Sequence, residues 1–177
     1  MDKKTLRNLL ISKRDALEPM DKQNRDYLIS KFLIDFVNIL NPKIVHTYLP
    51  INSEPNFYPF INFLFSQNIK VICPKTLAGR KLEHLELLKP DFLVPGKWGT
   101  LHPDGDKKFY DSPDLIIVPA LAFNFDNYRL GYGGGFYDQF LNSDQVKNSF
   151  LLSVAYDFQL LKNIPLEEHD AKVNLVK

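Results

Sequence analysis

Four consecutive apolar residues, Leu115-Ile116-Ile117-Val118, stop at Pro119. Side chains of a strand alternate between its faces, so a run that is apolar on both must be covered on both. That requirement selects a central parallel strand with helices on either side. The rest of the chain supplies matching elements. Ile44-Val45-His46-Thr47-Tyr48-Leu49 reads as a strand, about Asn56 to Ser66 as a helix, and Lys70-Val71-Ile72-Cys73 as the next strand before Pro74. This βαβ unit implies parallel pairing with a right-handed crossover. Two helices come first. Leu6, Leu9, Leu10, Ala16 and Leu17 fall at helical spacing between Lys3 and Leu17, and Pro19 stops that helix. Asp21 is placed to cap a second helix, whose stripe is Tyr27, Leu28, Phe32, Leu33, Phe36, Val37 and Leu40, ending before Asn41-Pro42. From Lys75 to Asp111 the pattern loosens: Leu82 to Leu87 alternates like a half-exposed strand, and prolines and glycines then predict a hairpin and long loops. Phe136 to Leu141 begins a helix, Phe150 to Tyr156 is a strand, and Val173 to Val176 is a short last one. The expected fold is a single α/β domain over residues 1–177, three-layered and Rossmann-like, with a mostly parallel central sheet flanked by helices. Ligands of such sheets gather at the carboxyl ends of the strands. Here these are Leu49-Pro50, Pro74-Lys75, Pro119-Ala120 and Tyr156-Asp157.

Charge narrows the partners. The 22 Lys and Arg against 21 Asp and Glu give a net +1, so nothing draws the whole chain to nucleic acid or an anionic membrane, and any anion must be held locally. The apolar runs fall far short of the roughly 18 residues of a membrane span, and Met1-Asp2-Lys3-Lys4 opens a polar helix rather than a signal sequence. A soluble, cytoplasmic, monomeric protein is expected, with no nucleic-acid or membrane partner. The single Cys73 lies in an apolar strand and reads as a buried small hydrophobe.

Chemistry concentrates in Arg129-Leu130-Gly131-Tyr132-Gly133-Gly134-Gly135-Phe136-Tyr137-Asp138. Four glycines in five positions let the backbone approach a ligand closely and turn successive N–H groups toward phosphate oxygens, with the following helix N-terminus behind them. Glycine clusters alone also make flexible surface turns. Arg129 before them and Asp138 after them favour an anion cradle: a guanidinium for phosphate and a carboxylate for a magnesium ion bridging it. Neither the P-loop nor the dinucleotide pattern fits, since no Gly-Lys-Ser/Thr follows and the third glycine of the latter is absent.

This segment, with Pro119-Ala120-Leu121-Ala122-Phe123 before it and Gln139-Phe140-Leu141 after it, resembles the signature of the 5-formyltetrahydrofolate cyclo-ligases, also called 5,10-methenyltetrahydrofolate synthetases. Lys3-Lys4-Thr5-Leu6-Arg7, with Lys13-Arg14 later in the helix, looks like that family's basic N-terminal helix. Pro165-Leu166-Glu167-Glu168-His169-Asp170 looks like its C-terminal segment. Tyr48-Leu49-Pro50, Glu54, Pro74-Lys75 and Trp98-Gly99 fall in the expected order between them. The resemblance implies an ATP- and magnesium-dependent ligase that converts 5-formyltetrahydrofolate to 5,10-methenyltetrahydrofolate with release of ADP and phosphate.

Residue by residue, it implies ATP contacts at Lys3, Lys4, Thr5, Leu6 and Arg7 and along Arg129, Leu130, Gly131, Tyr132, Gly133, Gly134, Gly135, Phe136 and Tyr137. Folate contacts are implied at Ile51, at Glu54 or Asn56, at Trp98, and at Tyr132 to Phe136. Arg129, Tyr132 and Asp138 are implied to be catalytic, and Asp138 and Asp170 to be magnesium ligands. Lys3 and Arg7 lie one turn apart and can present two cations on one face, while Lys4 and Arg14 lie off that face. A basic helix of this kind is otherwise a solvated surface. Phe136 stands where the family often has Tyr, and Asn174 where it often has Asp. His169 reads as structural, Lys75 as a phosphate or glutamate-tail contact, and Trp98 alternatively as partial core. No Ser-His-Asp or Cys-His set is present, which suits phosphoryl transfer by positioning. Rival readings are a sugar-phosphate isomerase of the same fold class and a non-catalytic nucleotide-binding regulator.

Overall fold

A computed structural model of the chain describes residues 1–167 and 170–177; the expectation for His169 lies outside them. The order of elements is α1 Lys3–Asp15, α2 Pro19–Leu40, β1 Ile44–Thr47, α3 Tyr58–Ser66, β2 Lys70–Thr76, β3 Leu82–Glu86, β4 Leu93–Pro95, β5 Leu101–Pro103, β6 Leu115–Ile117, β7 Ala122–Asn124, β8 Arg129–Leu130, α4 Phe136–Leu141, β9 Phe150–Ser153, β10 Leu160–Leu161 and β11 Leu175–Val176. Six strands form the central sheet in the order β11-β9-β6-β1-β2-β3. All neighbours are parallel except β2 and β3, which pair antiparallel with Pro74 opposite His84.

The apolar run does what its two-sided pattern requires. β6 lies between β1 and β9, with Leu115 and Ile117 packed toward Leu33, Val37, Phe60 and Leu64 of α2 and α3. Ile116 and Val118 meet Phe140 and Leu141 of α4 on the opposite face. The neighbouring strand repeats the division: Val45 joins the α2–α3 core, whereas the His46 ring lies 4.9 Å from Phe140. The expected mixed α/β architecture, mostly parallel and flanked by helices, is therefore the one formed.

Several expectations need correction. Pro19 does not merely end the first helix; it occupies the first turn of α2, where a missing N–H costs nothing, so Asp21 sits inside that turn and is not the cap. The stripe of α2 is narrower than its apolar residues suggest. Ile29, Leu33 and Val37 are buried, while Tyr27 and Leu28 face solvent. β2 runs on through Pro74 to Thr76 by pairing with β3, an edge strand. A separate three-stranded sheet, β10-β7-β8, was not anticipated and carries Arg129 at the start of β8. Its Leu121, Ala122 and Leu130 pack on Leu6 and Leu10, which is what docks α1 beside the glycine segment. Among the described residues no helix is long and apolar enough to cross a membrane.

Candidate active site

A cavity of about 890 Å³ opens at the carboxyl ends of β1, β2 and β6, near the upper end of the range for small-molecule sites. Leu49, Pro74 and Pro119 line it, as the topology requires; the Tyr156-Asp157 strand end is not part of its wall. One side is the glycine segment, which leaves β8 at Leu130 and enters α4 at Phe136. Gly133 and Gly135 have φ of 96° and 72°, in the left-handed region where side chains are strained. Space is equally tight. A Cβ on Gly133 would lie 3.2 Å from the Arg7 guanidinium carbon, and one on Gly135 3.2 Å from Arg80 Cδ. Gly131 abuts Arg129 in the same way, 3.2 Å from Nη1. Three arginines from α1, the loop after β2, and β8 thus press on five residues of backbone. Because α4 has only six residues, these side chains and not a helix dipole dominate the positive charge here.

Arg7, Arg129 and Lys3 are held by hydrogen bonds. Arg7 Nε donates to the Gly131 carbonyl at 2.8 Å. Arg129 is 4% exposed, with Nη2 donating to Asp138 Oδ1 at 2.5 Å and Nε buried without a hydrogen-bond partner. Lys3 Nζ lies 2.9 Å from Asp170 Oδ2 and 3.2 Å from Glu167 Oε1, and the Glu167 N–H also donates to Asp170 at 2.7 Å. Asp138 faces the cavity, whereas Asp170 is linked to α1 through Lys3 and is not part of the wall. The remaining residues expected at the nucleotide differ in setting. Lys4 and Thr5 are exposed, Thr5 N–H bonding the Asp2 cap at 2.8 Å; Leu6 and Leu130 are core.

At the other side stands Glu54, 7% exposed. Its Oε2 accepts the Ile51 N–H at 2.9 Å and its Oε1 the Tyr132 hydroxyl at 2.5 Å, so the acid from the loop after β1 is tied to the glycine segment. Burial holds the Glu54 carboxyl above the usual carboxylate range, against the Tyr132 and Ile51 hydrogen bonds and the positive charge of Arg14, which lower it. Burial likewise pushes the Tyr132 and Tyr137 hydroxyls up, so both stay protonated; that of Tyr132 donates to Glu54, and that of Tyr137 is buried without a hydrogen-bond partner. Ile51 and Trp98 also line the wall. Trp98 is 69% exposed and edge-on to Phe136, with centroids 5.4 Å apart, so it is a rim residue rather than partial core.

Asn56 is outside the cavity wall. Its N–H donates to Asp26 and its Oδ1 accepts from Tyr58 N–H at 3.2 Å, which starts α3. Asn174 is occupied structurally, its Oδ1 accepting the Leu151 N–H at 2.6 Å. Cys73 is fully buried and burial pushes its thiol up, as expected of a core residue. Sequence reasoning missed Arg80; the available signal was Gly79-Arg80-Lys81 just past the carboxyl end of β2.

The comparisons with known proteins converge on one family. The model of the 5-formyltetrahydrofolate cyclo-ligase family matches residues 1–177. A 5-formyltetrahydrofolate cyclo-ligase of Mycoplasma pneumoniae is 30% identical over 164 residues, covering 90% of this chain and 88% of the relative. One from Escherichia coli is 26% identical, covering 92% of each. A solved 5,10-methenyltetrahydrofolate synthetase from Mycoplasma pneumoniae superposes with a TM-score of 0.80 at 26% identity, over 99% of this chain and 98% of that one. The Aquifex aeolicus 5,10-methenyltetrahydrofolate synthetase also scores 0.80, at 28% identity over 99% and 89%. Fold, full-length coverage and the unusual glycine segment agree, and the chain belongs to the 5-formyltetrahydrofolate cyclo-ligase family.

Proposed function

We propose that this chain is an ATP-dependent ligase that cyclises 5-formyltetrahydrofolate to 5,10-methenyltetrahydrofolate, releasing ADP and phosphate, as a monomeric, single-domain cytoplasmic enzyme. One observation carries the reading: a single cavity is lined by a glycine cradle, against which Arg7, Arg80 and Arg129 press, and by the buried carboxyl of Glu54. A polyanion and a flat heterocycle with N–H edges are the two ligands such a site suits.

A formamide carbonyl is a poor electrophile, and its oxygen a poor leaving group. In the reaction proposed here the formyl oxygen attacks the γ-phosphorus of ATP in line and the bond to ADP breaks. N10 of the folate then attacks the phosphorylated formyl carbon, which closes the ring; the N10 proton leaves, and breaking the carbon–oxygen bond expels phosphate to give the methenyl product. No protein nucleophile takes part. Arg129 and Arg7 neutralise charge as it moves onto the phosphate oxygens, and Tyr132 and Glu54 orient the folate against the glycine segment.

Magnesium belongs to this reading. Among the described residues no group of three His, Cys, Asp or Glu side chains could hold an ion alone. Magnesium is usually bound by one or two carboxylates together with substrate phosphates and waters, and Asp138, on the cavity wall with its side chain 27% exposed, fits that donor set. Asp170, the second carboxylate that the reading assigns to the ion, is outside the cavity wall and bonded to Lys3. When bound, the ion supplies charge neutralisation to the nucleotide phosphates. The test is growth of methenyltetrahydrofolate absorbance when purified protein meets 5-formyltetrahydrofolate, Mg²⁺ and ATP, and none when triphosphate is omitted. Turnover by desalted protein without a triphosphate would sink the mechanism.

A further inference from the structure

Arg14 stands in the last turn of α1 and is 3% exposed, although Lys13 and Asp15 beside it face solvent. Its Nε donates to Ser53 Oγ at 3.1 Å, and Ser53 in turn donates to Asp15. Its guanidinium carbon lies 5.7 Å from the centroid of the Tyr132 ring. Nη1 is buried with no hydrogen-bond partner. A buried cation with an unsatisfied nitrogen is costly unless an anion is near. The acid next in sequence to its Ser53 partner is Glu54, itself buried and bonded to the hydroxyl of the ring that Arg14 faces. Ser53, Glu54, Tyr132 and Arg14 therefore form one polar cluster joining α1, the loop after β1 and the glycine segment.

We infer that Arg14 is a positioning residue: it holds the Tyr132 ring and supplies the positive charge that keeps Glu54 a carboxylate when an incoming folate takes over the hydrogen bond of the Tyr132 hydroxyl. The inference rests on the proposal that Glu54 anchors the folate. Neutral N–H donors of a heterocycle can replace a hydroxyl, but they bring no charge, so the ionised state of a buried acid then depends on its remaining neighbours. The titratable and charged groups around Glu54 are Arg14 and Asp15 of α1, Lys22 and Asp26 of α2, Tyr48 after β1, Tyr58 of α3, and Tyr132 and Tyr137 of the glycine segment. Of the two cations, Lys22 lies 2.7 Å from Asp26, and Arg14 is the one whose charge lowers the Glu54 carboxyl. A plain staple between α1 and Ser53 would give none of this dependence on charge.

The experiment measures 5-formyltetrahydrofolate affinity through the fluorescence of Trp98, the one tryptophan, from about pH 5.5 to 8.5. In Arg14→Gln the acid limb of binding should move to higher pH, with affinity roughly tenfold weaker at neutral pH and largely restored at the alkaline end. Arg14→Lys should return the limb to the wild-type position. A loss of equal size at every pH, or a shifted limb in Arg14→Lys, overturns the inference in favour of a staple. If Arg14→Gln gives no cooperative melt, the Arg14→Lys profile decides alone: a wild-type limb supports the inference and a displaced one refutes it. Glu54→Gln separates the two layers. Unchanged folate affinity there refutes the anchor and the inference together, whereas weakened affinity with a pH-independent Arg14→Gln refutes the role of Arg14 only.

Discussion

The two sides of the cavity satisfy their carboxylates by opposite means. Glu54 is held by neutral donors, the Tyr132 hydroxyl and the Ile51 N–H, whereas Asp138 is held by a cation, Arg129; off the wall, Asp170 takes both, Lys3 and the Glu167 N–H. Hydrogen bonds from neutral groups leave a carboxylate's charge nearly whole, so Glu54 can receive another neutral donor by simple exchange. An acid already neutralised by an arginine has little attraction left for one. It gains when a polyanion draws the cation away and a metal replaces it. In the function proposed above, the same residue type would serve a heterocycle through neutral donors and a nucleotide with its ion through a displaced cation.

Four substitutions test this contrast. The largest effect is expected of Asp138→Asn, which removes a charge from the nucleotide side and leaves the guanidinium of Arg129, whose side chain is 2% exposed, without its counter-ion. Turnover should fall about a hundredfold or more, and stability by about 3 kcal/mol, read as initial rate and thermal midpoint. Wild-type values for both would reduce Asp138 to an ordinary acid at the start of α4. Next come Lys3→Gln and Arg7→Gln. Each should weaken ATP by about ten- to a hundredfold, the value of a charge-assisted contact of about 1.5–3 kcal/mol, and folate much less. Titrations giving the wild-type ATP dissociation constant for both would confine nucleotide binding to the glycine segment. The smallest effect concerns stability and pH. Burial holds the Glu54 carboxyl above its ordinary value, so between the two values the folded protein binds more protons than the unfolded chain, and stability falls as pH rises through that window. Glu54→Gln removes this loss. Its melting temperature relative to wild type should therefore climb as pH is raised from about 4.5 to neutrality, while a constant difference would show that burial does not perturb Glu54.

What the sequence reveals follows the range of the forces. The central strand and its neighbours are legible because a two-sided apolar run permits one environment, and the glycine segment because its composition is locally extreme. The β10-β7-β8 sheet is not. Arg129–Leu130 and Leu160–Leu161 are too short to show a period, and their pairing with Ala122–Asn124 is fixed by tertiary packing. The width of the α2 stripe misleads because Tyr27 and Leu28 are apolar residues that the core does not reach. Asp138 and Asp170 stand out beside motifs, whereas the tie between Glu54 and Tyr132 spans 78 positions and leaves no local trace. Asn56 is as polar as Glu54 and two residues away, and only the start of α3 at Tyr58 explains why it turns to Asp26 instead.

The bond between Lys3 and Asp170 spans 167 positions, so the two distant stretches that it joins meet beside the glycine segment. A chain emerging residue by residue from synthesis cannot make that contact until residue 170 has been released. Closing so long a loop is entropically unfavourable until the sheet has already brought the ends together. The tie between α1 and Asp170 is therefore among the last contacts to form, and a partly made or clipped chain lacks it even where β1, β2, β6 and β9 have paired. In the function proposed above, the fold would couple nucleotide engagement at α1 to the presence of a segment 167 positions beyond Lys3.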